Sequence, residues 1–120
     1  MEKGKELLFG LDRQRYTTLM AKNLPVLRAG LGVSQSDLAG IIGVTRQTLS
    51  AAESGARELS WGNFISLLYV FSQNEQTVPL LRALGIYTPE LMSAFRVANL
   101  NDLNRQENMQ KNKSKAGEMG

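Results

Sequence analysis

Apolar residues recur every three or four positions along most of the chain, and glycines or capping residues separate the runs. The first clear run predicts a helix that begins near Pro25, where a missing N–H costs little, and ends at Gly32. The apolar residues of this run are Leu24, Leu27 and Leu31. Two short helices are predicted to follow, because Ser34 and Thr45 are favourable N-cap residues and Gly43 lies between them.

A fourth helix is predicted from the N-cap Ser60, with an apolar stripe that is expected to be core rather than a cofactor site. The stripe consists of Trp61, Phe64, Leu68 and Phe71, and Ile65 falls on the same face. Two more helices are predicted, one ending at Gly85 and one that begins at Thr88-Pro89 and could run on to Leu103. The chain contains no convincing strand and no internal repeat. The predicted fold class is therefore all-α, a compact bundle of about five to six helices.

The chain is expected to divide into four segments. Residues 1–16 form a charged N-terminal extension whose small apolar cluster is interrupted by Gly10, and a short helix is one option there. The main predicted domain covers residues 17–73, and residues 74–103 add C-terminal helices. Residues 104–120 are polar and poor in bulky side chains, so they cannot bury enough area to offset their ordering entropy. They are expected to be a disordered tail.

Composition removes several classes of function. The 120 residues include neither cysteine nor histidine, which excludes disulfides, thiolate metal sites and catalytic triads that need histidine. No apolar run could span a membrane and no signal peptide is visible, so a cytoplasmic protein without membrane contacts is expected. No phosphate loop, carboxylate pair or metal constellation is found, so no catalytic residue, cofactor, metal or small-molecule ligand is assigned. The net charge of +3 mildly favours a polyanionic partner.

Residues 34–55 carry the spacing of two short helices joined by a tight turn, which is the helix-turn-helix unit. Asp37 stands in the capping-box position of the first helix. Ala39 is small where the second helix crosses the first, Gly43 can adopt the positive φ of a sharp turn, and Val44 fills the inside of that turn. The residues expected to face the shared core are Leu38, Leu49 and Ala52. In such a unit the second helix enters the DNA major groove.

The segment from Leu24 to about Phe71 resembles the Cro/repressor (Xre-like) helix-turn-helix family. The resemblance rests on a full set of residues in register, namely Leu27-Arg28, Ser34-Gln35, Asp37-Leu38-Ala39, Gly43-Val44-Thr45, Leu49, Glu53-Ser54-Gly55 and Ser60. It implies a lambda-repressor-like DNA-binding domain of about five helices. It also implies a cytoplasmic protein that binds double-stranded DNA, usually as a homodimer.

The exposed start of the second short helix is expected to supply the base contacts. Arg46 can donate two hydrogen bonds to guanine, and Gln47 can pair in a bidentate manner with adenine. The alternatives for Arg46 are a phosphate contact or a solvated surface charge. Thr48 and Ser50 complete the expected base-contact set. Ala51 occupies a position where the resembling family often carries a longer polar side chain, so a narrower direct readout is expected.

Contacts with the DNA backbone are expected from Gln35, Thr45, Ser54 and Arg57. In the resembling family the position of Gln35 lies against the backbone, where its amide and the helix N–H groups suit a phosphate; the alternative is an ordinary first-turn residue. Arg57 is the preferred backbone clamp, and Lys22 is a weaker candidate. Arg28 and Glu53 match positions that form a partly buried ion pair in similar proteins, so they are expected to be structural.

These residues lead to the hypothesis of a transcriptional regulator, with repression as the preferred role, that binds a partly palindromic operator as a homodimer. The recognition helix is too short to give much specificity alone, and dimerisation would double its contacts. The dimer surface is expected in residues 74–103, with the apolar cluster of Leu7, Leu8 and Leu11 as the next candidate. The main alternative is a helix-turn-helix protein-interaction module, such as an antitoxin or a scaffold.

Overall fold

The structure of the protein, a computed structural model, describes residues 7–8 and 11–96. The helices are α1 (Arg13–Leu31), α2 (Gln35–Ile42), α3 (Arg46–Ser54), α4 (Trp61–Ser72), α5 (Val78–Ala83) and α6 (Pro89–Ala94). The chain divides into two units between Thr88 and Pro89, so that α6 belongs to the second. The predicted all-α class is confirmed. The expected continuation of the last helix to Leu103 and the tail predicted for residues 104–120 lie outside the described residues.

The region before α1 differs from the expectation of no strand. Two two-residue strands, β1 (Leu7–Leu8) and β2 (Leu11–Asp12), form an antiparallel pair in which Leu8 lies opposite Leu11. Strands this short show no alternation of polar and apolar residues, so the sequence pattern cannot reveal them. The helix that was one option for residues 1–16 is found only from Arg13 onwards, because Asp12 caps α1 by accepting a hydrogen bond from the Arg15 N–H.

Helix α1 is longer than the sequence analysis predicted, and the prediction that it begins near Pro25 is wrong. Pro25 lies inside the helix and is exposed, on the side away from the core. Tyr16 and Met20 are buried and continue the apolar face of Leu24 and Leu27 towards the N-terminus. The burial of this extended face stabilises the helix enough to accommodate one missing backbone hydrogen bond.

The predicted N-caps of the next three helices are confirmed. Ser34 and Asp37 form a complete capping box at the start of α2, with hydrogen bonds in both directions. Thr45 accepts a hydrogen bond from the Thr48 N–H at the start of α3, and Ser60 caps α4 in the same way. These caps satisfy backbone donors that have no partner within the helix.

Helix α4 contributes four large buried side chains, as many as α1 does, and contacts α1, α2 and α5. Phe64, Leu68 and Phe71 are buried as predicted, and the half-buried Trp61 ring stacks on Phe64 with 4.8 Å between ring centroids. The prediction placed Ile65 on the same face, whereas its side chain is 38% exposed and Leu67 is buried. The buried arc is displaced because α4 has neighbours on more than one side. Within the described residues, no helix has both the length and the hydropathy of a membrane-spanning segment.

Candidate nucleic-acid interface

Helices α2 and α3 are joined by a tight turn that fixes how they cross. Gly43 ends α2 with a φ of 81°, a left-handed conformation that a side chain would strain. The Val44 N–H then donates to the Ala39 carbonyl at 3.0 Å, which closes the turn. Ala39 is only 2% exposed, because α3 packs close above it. The three apolar residues expected to face the shared core, Leu38, Leu49 and Ala52, are all buried.

The first turn of α3 faces solvent. Arg46 and Gln47 are exposed, whereas Thr48 and Ser50 are half-buried. The Thr48 hydroxyl lies 2.9 Å from the Thr45 hydroxyl, and the same Thr45 oxygen accepts the Thr48 N–H. The Thr45 hydroxyl therefore caps the helix and the Thr48 hydroxyl bonds to it, whereas the exposed side chains of Arg46 and Gln47 take no part in the cap.

The other end of α3 is tied to α1 by a bidentate ion pair. Arg28 Nε donates to Glu53 Oε2 at 2.7 Å, and Arg28 Nη2 donates to Glu53 Oε1 at 3.1 Å. The two side chains are 19% and 8% exposed. The hydrogen bond to Glu53 raises the pKa of Arg28 above its usual value, although burial opposes the rise. Arg28 Nη1 also donates to the Val33 carbonyl at 3.3 Å, so the pair fixes the connection between α1 and α2 as well.

Gln35 connects the two ends of α3, and sequence analysis did not anticipate this. Its Nε2 donates to Glu53 Oε1 at 2.9 Å, and its Oε1 accepts a hydrogen bond from Arg46 Nη1 at 3.3 Å. The half-buried Gln35 side chain therefore lies between the ion pair and the exposed start of α3. The sequence does contain a sign of this link. Gln35 is the first residue of α2 and Arg46 is the first residue of α3, and one tight turn joins the two helices.

The loop after α3 gathers the remaining candidates. The Ser54 hydroxyl donates to the Ala51 carbonyl at 3.2 Å and accepts the Ala56 N–H at 3.3 Å, so it stabilises the end of the helix. Arg57 and Lys22 are exposed and line one cleft of about 430 Å³ between α1 and this loop. Glu53 and Glu58 also line the cleft, which is therefore mixed in charge.

The start of α2 lies close to this cleft, because Gln35 bonds to Glu53 of the cleft lining. The capping box of α2 carries a negative charge. The Ser34 N–H donates to Asp37 Oδ2 at 3.1 Å, and this bond lowers the pKa of the Asp37 carboxyl. Asp37 is therefore ionised near neutral pH. In the part of the chain that the structure describes, no three acidic side chains lie close enough together to hold a metal ion.

Comparison with protein families matches residues 27–68 to a family model described as "Helix-turn-helix". The match begins near the end of α1 and ends within α4, and so includes the α2–α3 crossing and its turn. No significant match was found among curated proteins or among solved structures. The buried crossing, the left-handed glycine turn and the family match agree, so residues 27–68 belong to the Cro/repressor-type (Xre-like) helix-turn-helix family, and the chain carries a DNA-binding domain of the regulatory type.

Proposed function

We propose that this protein regulates transcription, as a repressor, by placing α3 in the major groove of a partly palindromic operator. The observation that carries the proposal is the exposed first turn of α3, where Arg46 and Gln47 extend from a helix whose inner face is buried. The N-terminal residues of a recognition helix are the ones that reach base edges.

Arg46 and Gln47 are the proposed base-reading residues. Arg46 uses one guanidinium nitrogen on Gln35 and retains further donors for guanine O6 and N7. Gln47 offers both an amide donor and a carbonyl acceptor, which matches adenine N7 and N6. Thr48 and Ser50 are half-buried and are assigned weaker base contacts, and the Ala51 methyl can meet only an apolar edge such as the thymine methyl.

The proposed phosphate contacts surround α3 on both sides. The exposed cation Arg57 is the main one, and its loop also presents Ser54. At the start of α2, Gln35 keeps its backbone N–H for a phosphate even though its side-chain amide is engaged. Thr45 precedes α3 and is exposed. Contacts of this kind fix the register of a protein on DNA without reading sequence.

A homodimer completes the proposal. One α3 contacts too few base pairs to specify an operator, and two copies related by a twofold axis would present a second α3 about 34 Å away, in the next turn of the major groove. The operator would then be partly palindromic, because its symmetry follows that of the protein.

The test is selection of bound sequences from a random pool of duplex DNA, followed by binding measurements at several salt concentrations. We expect enriched half-sites separated by about one helical turn and an affinity that falls steeply as salt rises. Gln47→Ala should remove the preference at one position of each half-site, whereas Gln76→Ala, at an exposed glutamine far from α3 in the sequence, should leave every preference intact. Failure to retard any duplex at low salt would contradict the proposal.

One observation favours a second candidate, a protein-interaction module of the antitoxin or scaffold type. Helix α3 contains a single cation, Arg46, and the acidic Glu53, so its charge gives little attraction to phosphate. The salt series separates the two candidates, because a protein-interaction module would show no salt-dependent affinity for random DNA.

A further inference from the structure

Helices α2 and α4 share an exposed apolar surface that the proposed DNA contacts do not use. It consists of Ile41, Ile42, Ile65, Tyr69 and Val70, and is called here the α2–α4 patch. Ile41 is 58% exposed and Tyr69 is 66% exposed. Large apolar side chains gathered at one exposed place, rather than scattered singly, are characteristic of an interaction site.

The α2–α4 patch is uncharged. The remaining residues that line it are Ser66, Gln73 and Asn74, which are polar but neutral. The Asn74 amide already donates to the Val70 carbonyl at 2.8 Å, so its polar group keeps a partner when water is removed. Covering the patch therefore strands no charge, and the contact avoids the main cost of desolvation.

The shape of the patch suits a twofold contact. A groove of about 740 Å³ runs between α2 and α4, and the Tyr69 side chain borders the same groove while remaining two-thirds exposed. In a twofold interface the same surface meets itself, so each projection must face a recess of the other copy. The exposed Tyr69 ring and the groove that it borders offer a projection and a recess on one small surface.

We infer that the α2–α4 patch is the surface through which two copies of this chain associate, an inference that rests on the proposed homodimeric function. The chain carries a net charge of +3, so two copies repel each other weakly, and an uncharged contact surface keeps like charges away from the interface. Neutrality on both sides also favours a second copy over a partner that is recognised through acidic or basic groups.

Of the segments favoured by sequence for dimerisation, residues 74–88 of the first unit hold no large apolar side chain as exposed as Ile41 or Tyr69. Leu11, from the N-terminal cluster, is only 4% exposed. Leu81 and Ile86, within residues 74–103, are fully buried. Their apolar side chains stabilise the unit itself, whereas those of the α2–α4 patch remain available for a partner.

The patch also leaves the proposed DNA-contacting surface uncovered. Ile41 and Ile42 lie in the last turn of α2, directly before the Gly43 turn, and neither Arg46 nor Gln47 lines the groove. A dimer formed here would therefore hold two α3 helices in one assembly while their first turns stay accessible to DNA.

The experiment is sedimentation velocity on the full chain and on two matched variants, from about 1 to about 200 µM. The wild type should show a reversible dimer. Tyr69→Glu should raise the dimer dissociation constant by about tenfold or more, because the contact is twofold and each charge is buried near its counterpart. Val26→Glu changes the net charge by the same amount at an apolar α1 residue that is 49% exposed, and it should dimerise as the wild type does.

A second variant and a chemical probe protect the test against misfolding. Ile41→Gln is a milder change in the same patch, and circular dichroism should show that it and Tyr69→Glu stay helical. Because the chain has no cysteine, Ile65→Cys should form an intermolecular disulfide faster than Val26→Cys does when oxidised glutathione is added as the oxidant. A wild type that stays monomeric throughout, or a dimer that both patch variants leave unchanged, would overturn the inference.

Binding to a single half-site separates this inference from the proposed function. Tyr69→Glu should bind an isolated half-site at low salt as the wild type does, and should lose affinity only for the two-site operator. A chain that dimerises through the patch but binds no DNA would contradict the proposed function alone. A chain that binds the two-site operator as a dimer which neither patch variant weakens would contradict the inference alone, whereas a chain that never dimerises would contradict both the inference and the homodimer of the proposed function.

Discussion

The two ends of α3 are built for different purposes. At its C-terminal end, Glu53 is 8% exposed and is held by two hydrogen bonds from Arg28. At its N-terminal end, Arg46 and Gln47 are exposed, and Arg46 has a single 3.3 Å contact with Gln35. A nine-residue helix thus has one end anchored in the fold and the other end exposed to solvent, called here the presented end.

This difference predicts that substitutions at one end of α3 change stability, whereas substitutions at the other end change recognition. At the anchored end, the Glu53 carboxylate is largely removed from water. Its replacement by a neutral side chain leaves the Arg28 guanidinium unpaired, which destabilises the fold. The presented end makes few contacts inside the protein. Substitutions there should therefore lower the affinity for a binding partner and leave the free energy of unfolding nearly unchanged. Substitutions at the two ends can therefore be compared directly on the same helix.

The largest effect is expected at the anchored end. Glu53→Ala strands the Arg28 guanidinium and removes the acceptor of the Gln35 amide, which should lower the free energy of unfolding by about 3 kcal/mol. Thermal and urea denaturation measure the change. Glu75→Ala removes an exposed carboxylate outside the helices and should leave the melting temperature unchanged. A Glu53→Ala variant that melts with the wild type would show that the ion pair does not anchor α3.

An intermediate effect is expected at the presented end, and on DNA affinity rather than stability. Arg46→Ala should weaken operator binding by about 2 kcal/mol, or roughly thirtyfold, because a bidentate base contact is lost. Its melting temperature should stay close to that of the wild type, because Arg46 is exposed. Arg46→Lys retains the charge but not the planar fork, so it tests base readout against simple attraction to phosphate. Full recovery of affinity in the lysine variant would contradict base readout.

The smallest effect is expected at the link between the two ends. Gln35→Ala removes one hydrogen bond to Glu53 but leaves the Arg28 contacts in place, so it should cost about 1 kcal/mol of stability. It should also weaken DNA binding slightly, since Arg46 loses its support. Gln14→Ala is the matched control, because Gln14 donates to the exposed Glu58 at 3.0 Å and lies on α1. Equal behaviour of the two glutamine variants in both measurements would show that Gln35 does not link the ends of α3.

Sequence predicted those features of the fold that depend on neighbouring residues. The caps at Ser34, Thr45 and Ser60 follow from side chains that bond a backbone N–H three residues ahead. The Gly43 turn follows from the steric freedom of one residue. Such rules need no knowledge of the rest of the chain, and so the helix-turn-helix unit was visible in the sequence.

Features that depend on distant neighbours were missed. The sequence pattern predicts a start of α1 near Pro25, because the contribution of Tyr16 and Met20 to a buried face depends on the packing of other helices. Whether Ile65 or Leu67 is buried depends on which sides of α4 are covered. The role of Gln35 depends on a long side chain reaching two partners at once, which a linear pattern does not specify.

The arrangement of α3 also has a consequence for how such a protein can diverge. A change at Arg28 or Glu53 alone leaves a charge without its counterpart, so drift at these positions is restricted unless both are replaced together. A change at Gln47 meets no such barrier, since its exposed side chain supports little of the fold. With Gln47 in the base-reading role proposed above, chains of this architecture can therefore acquire new binding preferences while keeping the same scaffold.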